Sequence, residues 1–168
     1  MAITVSPNPI NLQWSNFRTV PSLPDEEAHV DINFNVPNRP FRQVNGQFMM
    51  AETFQIGVLP VAKVVQGASQ TAELLSHEQG HYNLGILVGW AMAREFMQLQ
   101  APNPAALGTA IRNCFNRHKD TLMPPIQRKY DQDTNHSRNR QQQQRWDLLI
   151  RQCMAARPRC ARIENLPF

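Results

Sequence analysis

The chain of 168 residues predicts an α+β fold: a small, mainly antiparallel sheet built from residues ~10–66, packed on one long helix and followed by further helices. Three observations predict it. Period-two apolar alternation is confined to the first third, the period turns helical after Ser69, and prolines at 102, 104, 124 and 125 divide the remainder of the chain. An apolar content of 42% with 18% charged residues is that of a globular chain, long enough for one domain, 1–168, to bury a core. Its first part, 1–66, reads as strands and loops, and 67–168 as mainly helical.

Taken in order, Gln13-Trp14-Ser15-Asn16-Phe17 reads as a short strand or turn before a proline-marked loop. Residues 29–36 alternate strictly, with Val30, Ile32, Phe34 and Val36 on one face and Asp31, Asn33 and Asn35 on the other, which marks a half-buried strand. The run VPNRP breaks it. Asn45-Gly46 signals a tight turn, after which Phe48, Met50, Phe54, Ile56 and Val58 fall on one face of a second long strand. Chain order suggests that its part near Phe54–Val58 is an exposed edge, able to hold an extended peptide by strand addition. Ser69 is the expected cap of a helix reaching about Leu99, with Glu73 suited to its positive end. Asn103-Pro104 caps and starts a second helix, which Pro124-Pro125 interrupts near Met123. A last helix is expected over ~137–156, with Trp146, Leu149, Ile150 and Cys153 facing inward. Cys153 and Cys160 pair if the chain turns back after Pro158; three reduced thiols are the other reading.

No apolar run approaches the ~18 residues of a membrane span. The N-terminus shows neither the basic start nor the apolar stretch of a signal peptide. Charge is uneven: residues 1–100 carry five Lys/Arg against eight Asp/Glu, and residues 101–168 carry twelve against five.

Within the first predicted helix stands Leu74-Leu75-Ser76-His77-Glu78-Gln79-Gly80-His81-Tyr82-Asn83-Leu84-Gly85. With five histidines and seven glutamates, roughly 0.6% of random orderings would contain HExxH, so the surroundings must decide its meaning. Residues four apart share a helix face, so His77 and His81 can aim both imidazoles at one metal ion. Glu78 is turned away by about 100° and can act as general base toward a water held there. Apolar neighbours on both sides make this a central helix, where two histidines need partners, and zinc satisfies them economically. Gly80 weakens the helix by ~1 kcal/mol unless something passes close to it.

A catalytic zinc takes a third protein ligand. Leu84 and Leu87 occupy the positions where a longer HExxHxxGxxH pattern would need glycine and histidine. Glu95 would lie ~27 Å from His77 along an unbroken helix. Three later regions offer a donor: His118, the pair Asp131 and Asp133, and His136.

The LLSHEQGHYNLG helix, the block Tyr130-Asp131-Gln132-Asp133-Thr134-Asn135-His136-Ser137 and the segment Gln144-Arg145-Trp146-Asp147 together resemble the bacterial family of predicted secreted zinc-dependent proteases. That family joins an LLxHExxH helix to a YDxxTxH block and a QxWD helix, and Trp14 to Phe17 is similar to its early WxxF segment. The resemblance implies a zincin-like fold, a Zn2+ cofactor, a peptide or protein substrate, and a secreted or periplasmic location, although no signal peptide is visible. His136 would complete a three-histidine site with an open fourth position; Asp131 or Asp133 is the alternative ligand, or the acceptor for a ligating imidazole's free N–H. Tyr130 is a candidate hydrogen-bond donor to a tetrahedral oxyanion, with a buried structural tyrosine as the other reading.

A different class of function also fits the sequence. Arg138, Arg140, Arg145, Arg151, Arg157, Arg159 and Arg162 could serve a basic binding module for nucleic acid or an acidic partner, its metal structural or vestigial. Aromatic residues for base stacking are scarce there, with Trp146 alone, which argues against nucleic acid.

Overall fold

The computed structural model describes residues 10–36, 41–157 and 159–168, and the backbone of 2–6. The predicted break at VPNRP and the turn at Pro158 lie outside the described residues. The architecture is α+β, with a small sheet and helices packed on it. Strands β1 (Ala2–Ser6), β2 (Arg18–Val20), β3 (Ala28–Asn35) and β6 (Thr53–Val65) form the main sheet around β6. β3 pairs antiparallel with β6 from Ala28↔Val64 to Asn35↔Gly57, whereas β1 and β2 pair with β6 in parallel. The main sheet is therefore mixed: the expected antiparallel pairing holds for β3 and β6, while the two short strands run along β6 in its own direction and reach it through long connections.

The second predicted long strand is two strands in different sheets. β4 (Phe41–Val44) and β5 (Gln47–Met50) form a hairpin across Asn45-Gly46, and β5 also pairs with β7 (Gln100–Ala101). Asn45 and Gly46 both take the left-handed conformation that a two-residue hairpin turn demands. The segment 13–17 is a short 3-10 turn, Trp14–Asn16.

Helix α1 (Ala72–Phe96) starts at Thr71, whose side chain accepts from the Leu74 N–H at 3.1 Å, two residues beyond the expected cap. It is buried on both sides. One face joins the sheet in a core that includes Val30, Ile32, Ile56, Tyr82 and Phe96; the other meets Ile126, Tyr130, Trp146 and Ile150. Gly85 allows the close approach to the sheet, since a Cβ there would lie 2.7 Å from the Ile32 side chain. No described helix is long and apolar enough to cross a membrane.

The prolines at 124 and 125 do not break the helical run. Helix α2 (Pro104–Asn116), capped by Asn103, passes through a π-helical segment, Arg117–Leu122, into α3 (Met123–Thr134). The prolines sit in the first turn of α3, where the missing N–H groups cost little. Residues 135–137 all have positive φ and reverse the chain into α4 (Arg140–Ala156), which buries Trp146 and Ile150 as its periodicity predicts. Cys153 and Cys160 are disulfide-bonded and Cys114 is a free, buried thiol. Two short strands, β8 (Arg162–Ile163) and β9 (Leu166–Pro167), end the chain.

Candidate metal centre

The HEQGH residues span the second and third turns of α1, and each has a distinct surrounding. His77, Glu78 and His81 are buried. Gln79 points the other way and clamps the N-terminal segment: its Oε1 accepts from the Leu12 N–H at 2.7 Å and its Nε2 donates to the Ile10 carbonyl at 3.2 Å. Gly80 leaves room for Tyr130, since a Cβ would lie 2.6 Å from the phenol Cζ and closer still to its hydroxyl. The close neighbour that excuses this glycine is a side chain from α3.

Three donor atoms converge. His77 Nε2 and His81 Nε2 are 3.1 Å apart, and Asp131 Oδ1 lies 3.2 Å from the first and 2.8 Å from the second. Ligands held about 2.0–2.1 Å from one tetrahedral ion stand roughly 3.3–3.4 Å from one another, so the spacing suits a single small cation. Asp131 reaches the site because α3 continues through Thr134, which places Gln127, Tyr130, Asp131 and Thr134 on the side facing α1.

Two glutamines orient the imidazoles. Gln127 donates from Nε2 to the His81 carbonyl (3.2 Å), so its Oε1 is left to face His81 Nδ1 at 2.5 Å. Gln143 donates from Nε2 to the Tyr130 hydroxyl (2.7 Å) and to Asp147 (2.8 Å), so its Oε1 faces His77 Nδ1 at 3.1 Å. Both Nδ1 atoms therefore carry hydrogen, and both Nε2 lone pairs point at each other and at a carboxylate. Three acceptors facing one another in a buried site require positive charge, either a proton or a metal ion. The pKa directions of the metal-free cluster say the same. Burial raises Asp131, but hydrogen bonds to His77 and His81 outweigh it and hold the carboxyl well below the usual range. Burial lowers His81, yet the hydrogen bond and charge of Asp131 hold it above its ordinary value, while at His77 burial prevails and lowers it.

Glu78 stands beside this cluster and is not part of it. It is 2% exposed, its Oε2 has no hydrogen-bond partner among the described residues, and burial pushes its carboxyl up to about 7. It lines a cavity of about 150 Å³ with Glu26, Glu27, His77, His136 and Arg138.

The structure brings Asp131, not His136, into the histidine pair. His136 sits in the left-handed turn after α3, its ring partly exposed and its Nδ1 3.7 Å from Asp131 Oδ1, at the rim of the cavity. Asp133 faces elsewhere: it accepts from Trp146 Nε1 at 3.0 Å and pairs with Lys129. Tyr130 is fully buried, stacks under His77 with ring centroids 4.7 Å apart, and donates from its hydroxyl to the His77 carbonyl at 3.2 Å. That hydroxyl is held beneath the histidine pair by the His77 carbonyl and Gln143, the arrangement expected of a buried structural tyrosine. His118 lies apart from this site. Trp146 is fully buried and offers no stacking face, and Arg140 and Arg145 pair with Glu73 and Glu164.

No family model matches the chain, and neither curated proteins nor solved structures provide a match. Among the described residues the geometry brings together two groups of side chains that could hold a metal ion: His77, His81 and Asp131, and separately Glu95, Cys114 and His118. Gln127 and Gln143 are the residues that sequence reasoning missed. Their one available signal was helical phase: Gln127 stands four residues before Asp131 and one turn from Tyr130.

Proposed function

We propose that the protein is a zinc-dependent metallopeptidase of zincin-like fold, acting as one domain over residues 1–168, with His77, His81 and Asp131 as ligands and Glu78 as general base. The observation that carries this reading is the convergence of two oriented Nε2 lone pairs and a carboxylate beside a buried, unpartnered glutamate. Zinc, when bound by such a set, lowers the pKa of a water to roughly 7 and polarises a carbonyl. Glu78 would take a proton from the attacking water and pass it to the leaving amine; its unpartnered oxygen and its freedom from the ligand set suit it to this. His136, at the cavity rim, is placed to donate a hydrogen bond to a polarised carbonyl oxygen.

An extended peptide or protein segment would add to the outer edge of β3, which has β6 as its one partner among the described residues and lies against α1 through Ile32 and Gly85. The segment Phe54–Val58, expected from chain order to be this edge, lies instead within β6, the strand at the centre of the sheet. The resemblance to predicted secreted zinc-dependent proteases agrees with this reading. The Cys153–Cys160 disulfide supports a secreted or periplasmic setting, since such bonds persist in oxidising compartments.

Metal content and peptide cleavage of paired variants test the ligand set. Asp131→Ala should lose zinc affinity by more than the roughly 10–100-fold that removal of an orienting partner costs, and should lose activity with it. His136→Ala should keep the ion and lose turnover. Retention of zinc by Asp131→Ala together with its loss from His136→Ala would return the third ligand to His136; zinc binding unaffected by His77→Ala would end the peptidase reading.

A further inference from the structure

The second group lies far from HEQGH. Glu95 is fourteen residues beyond His81, roughly 21 Å along α1. Its carboxylate faces Cys114 near the end of α2 and His118 in the π-helical segment, so three elements bring one oxygen, one sulfur and one nitrogen together. The three donor atoms all lie within 4.8 Å of one another. Cys114 and His118 are 3% and 2% exposed, with Sγ 3.5 Å from Nδ1. His118 Nδ1 also donates to the Cys114 carbonyl at 3.0 Å, which fixes the tautomer and leaves Nε2 to face Glu95 Oε2 at 3.8 Å. Arg117 pairs with the same Glu95 oxygen from the solvent side. A carbonyl-oriented imidazole, a buried thiol and a carboxylate are the donor types that borderline-soft divalent ions select. π-Helical turns, moreover, recur where a helix must present a functional side chain.

We propose that Glu95, Cys114 and His118 form a second metal site, for Zn2+ or a similar divalent ion, separate from the HEQGH centre and independent of the peptidase reading. Binding would displace the Cys114 thiol proton to solvent and draw the Glu95 carboxylate away from Arg117, which would turn to solvent, so that thiolate plus carboxylate balance the dication. The site would tie the C-terminal end of α1 to the π segment. That segment leads directly into α3, the helix that carries Asp131.

Cobalt titration of the full chain separates the two centres, because Cys114 is the free cysteine and the histidine–aspartate group has no sulfur. Wild type should take up two Co2+ per chain and develop a near-ultraviolet thiolate-to-cobalt charge-transfer band. Cys114→Ser should lose the band and one ion, and His118→Gln should weaken the same ion at least tenfold. His77→Ala should lose the other ion and keep the band. One ion per chain without a sulfur band, or a band that survives Cys114→Ser, overturns the proposal. If that single ion is removed by His77→Ala, the first centre stands without the second. Glu95→Gln, changed at a partly exposed position, provides the check should Cys114→Ser fail to fold: it must weaken the band-bearing ion, and an unchanged band and affinity would remove Glu95 and the site with it.

Discussion

Glu78→Gln is expected to lower turnover at least ~10²-fold while leaving the HEQGH ion bound, and to make the metal-free protein more stable at alkaline pH. Both effects come from one buried carboxylate with an oxygen that none of the described residues satisfies. Glutamine keeps the size and cannot accept the proton. For stability the sign is set by burial, the largest influence on Glu78, which lifts its folded-state pKa from 4.5 to about 7. Stability gained from the neutral form is fully present below about 4.5 and is lost as pH rises through about 7. In excess chelator at pH 8 the wild type carries a desolvated charge that the variant lacks, a difference on the order of 3 kcal/mol. The melting temperatures of the two should therefore separate above pH 7 and converge below pH 5. A bound cation pulls the carboxyl down again, so the acid limb of activity should fall below pH 7. Wild-type cleavage by Glu78→Gln, or loss of its metal, would remove Glu78 from the reaction.

Gly80→Ala should destabilise the protein even though alanine favours a helix by ~1 kcal/mol. The added Cβ meets the Tyr130 ring, 2.6 Å from Cζ, and that ring has nowhere to go: His77 stacks on it and Trp146 abuts it with centroids 5.3 Å apart. Overpacking of this kind costs about 1–3 kcal/mol, and displacing the hydroxyl also disturbs its bonds to Gln143 and the His77 carbonyl. A net loss of ~2 kcal/mol is expected, with weaker zinc binding because Asp131 adjoins the displaced residue. Thermal melts with and without zinc check both parts; an unchanged melting temperature and affinity would mean that Tyr130 does not fix the site.

Much of the fold is legible in the sequence because it rests on local periodicity. The HEQGH helix, its burial on both sides, the β3 alternation and the inner face of α4 come from spacings of 3.6 and 2. The parallel pairing of β1 and β2 with β6 is not legible, since it joins segments some fifty residues apart. The sequence favours His136 over Asp131 as the third donor for a specific reason. Pro124-Pro125 reads as an interruption near Met123, which leaves the direction of the YDQDTNH side chains open; with those prolines in a first turn the helix runs on to Thr134 and Asp131 points inward. The choice between Asp131 and His136 is thus a matter of helical phase, which a proline pair does not determine.

Each imidazole of the pair is gripped by an amide from a different helix, Gln127 on α3 and Gln143 on α4, and the carboxylate that meets them rides on α3. Neither histidine can swing away while both helices are docked, so the residence time of an ion would be governed by a collective opening of the helical layer and not by the strength of any one coordinate bond. Chelators would then strip the metal no faster than α3 and α4 part from α1.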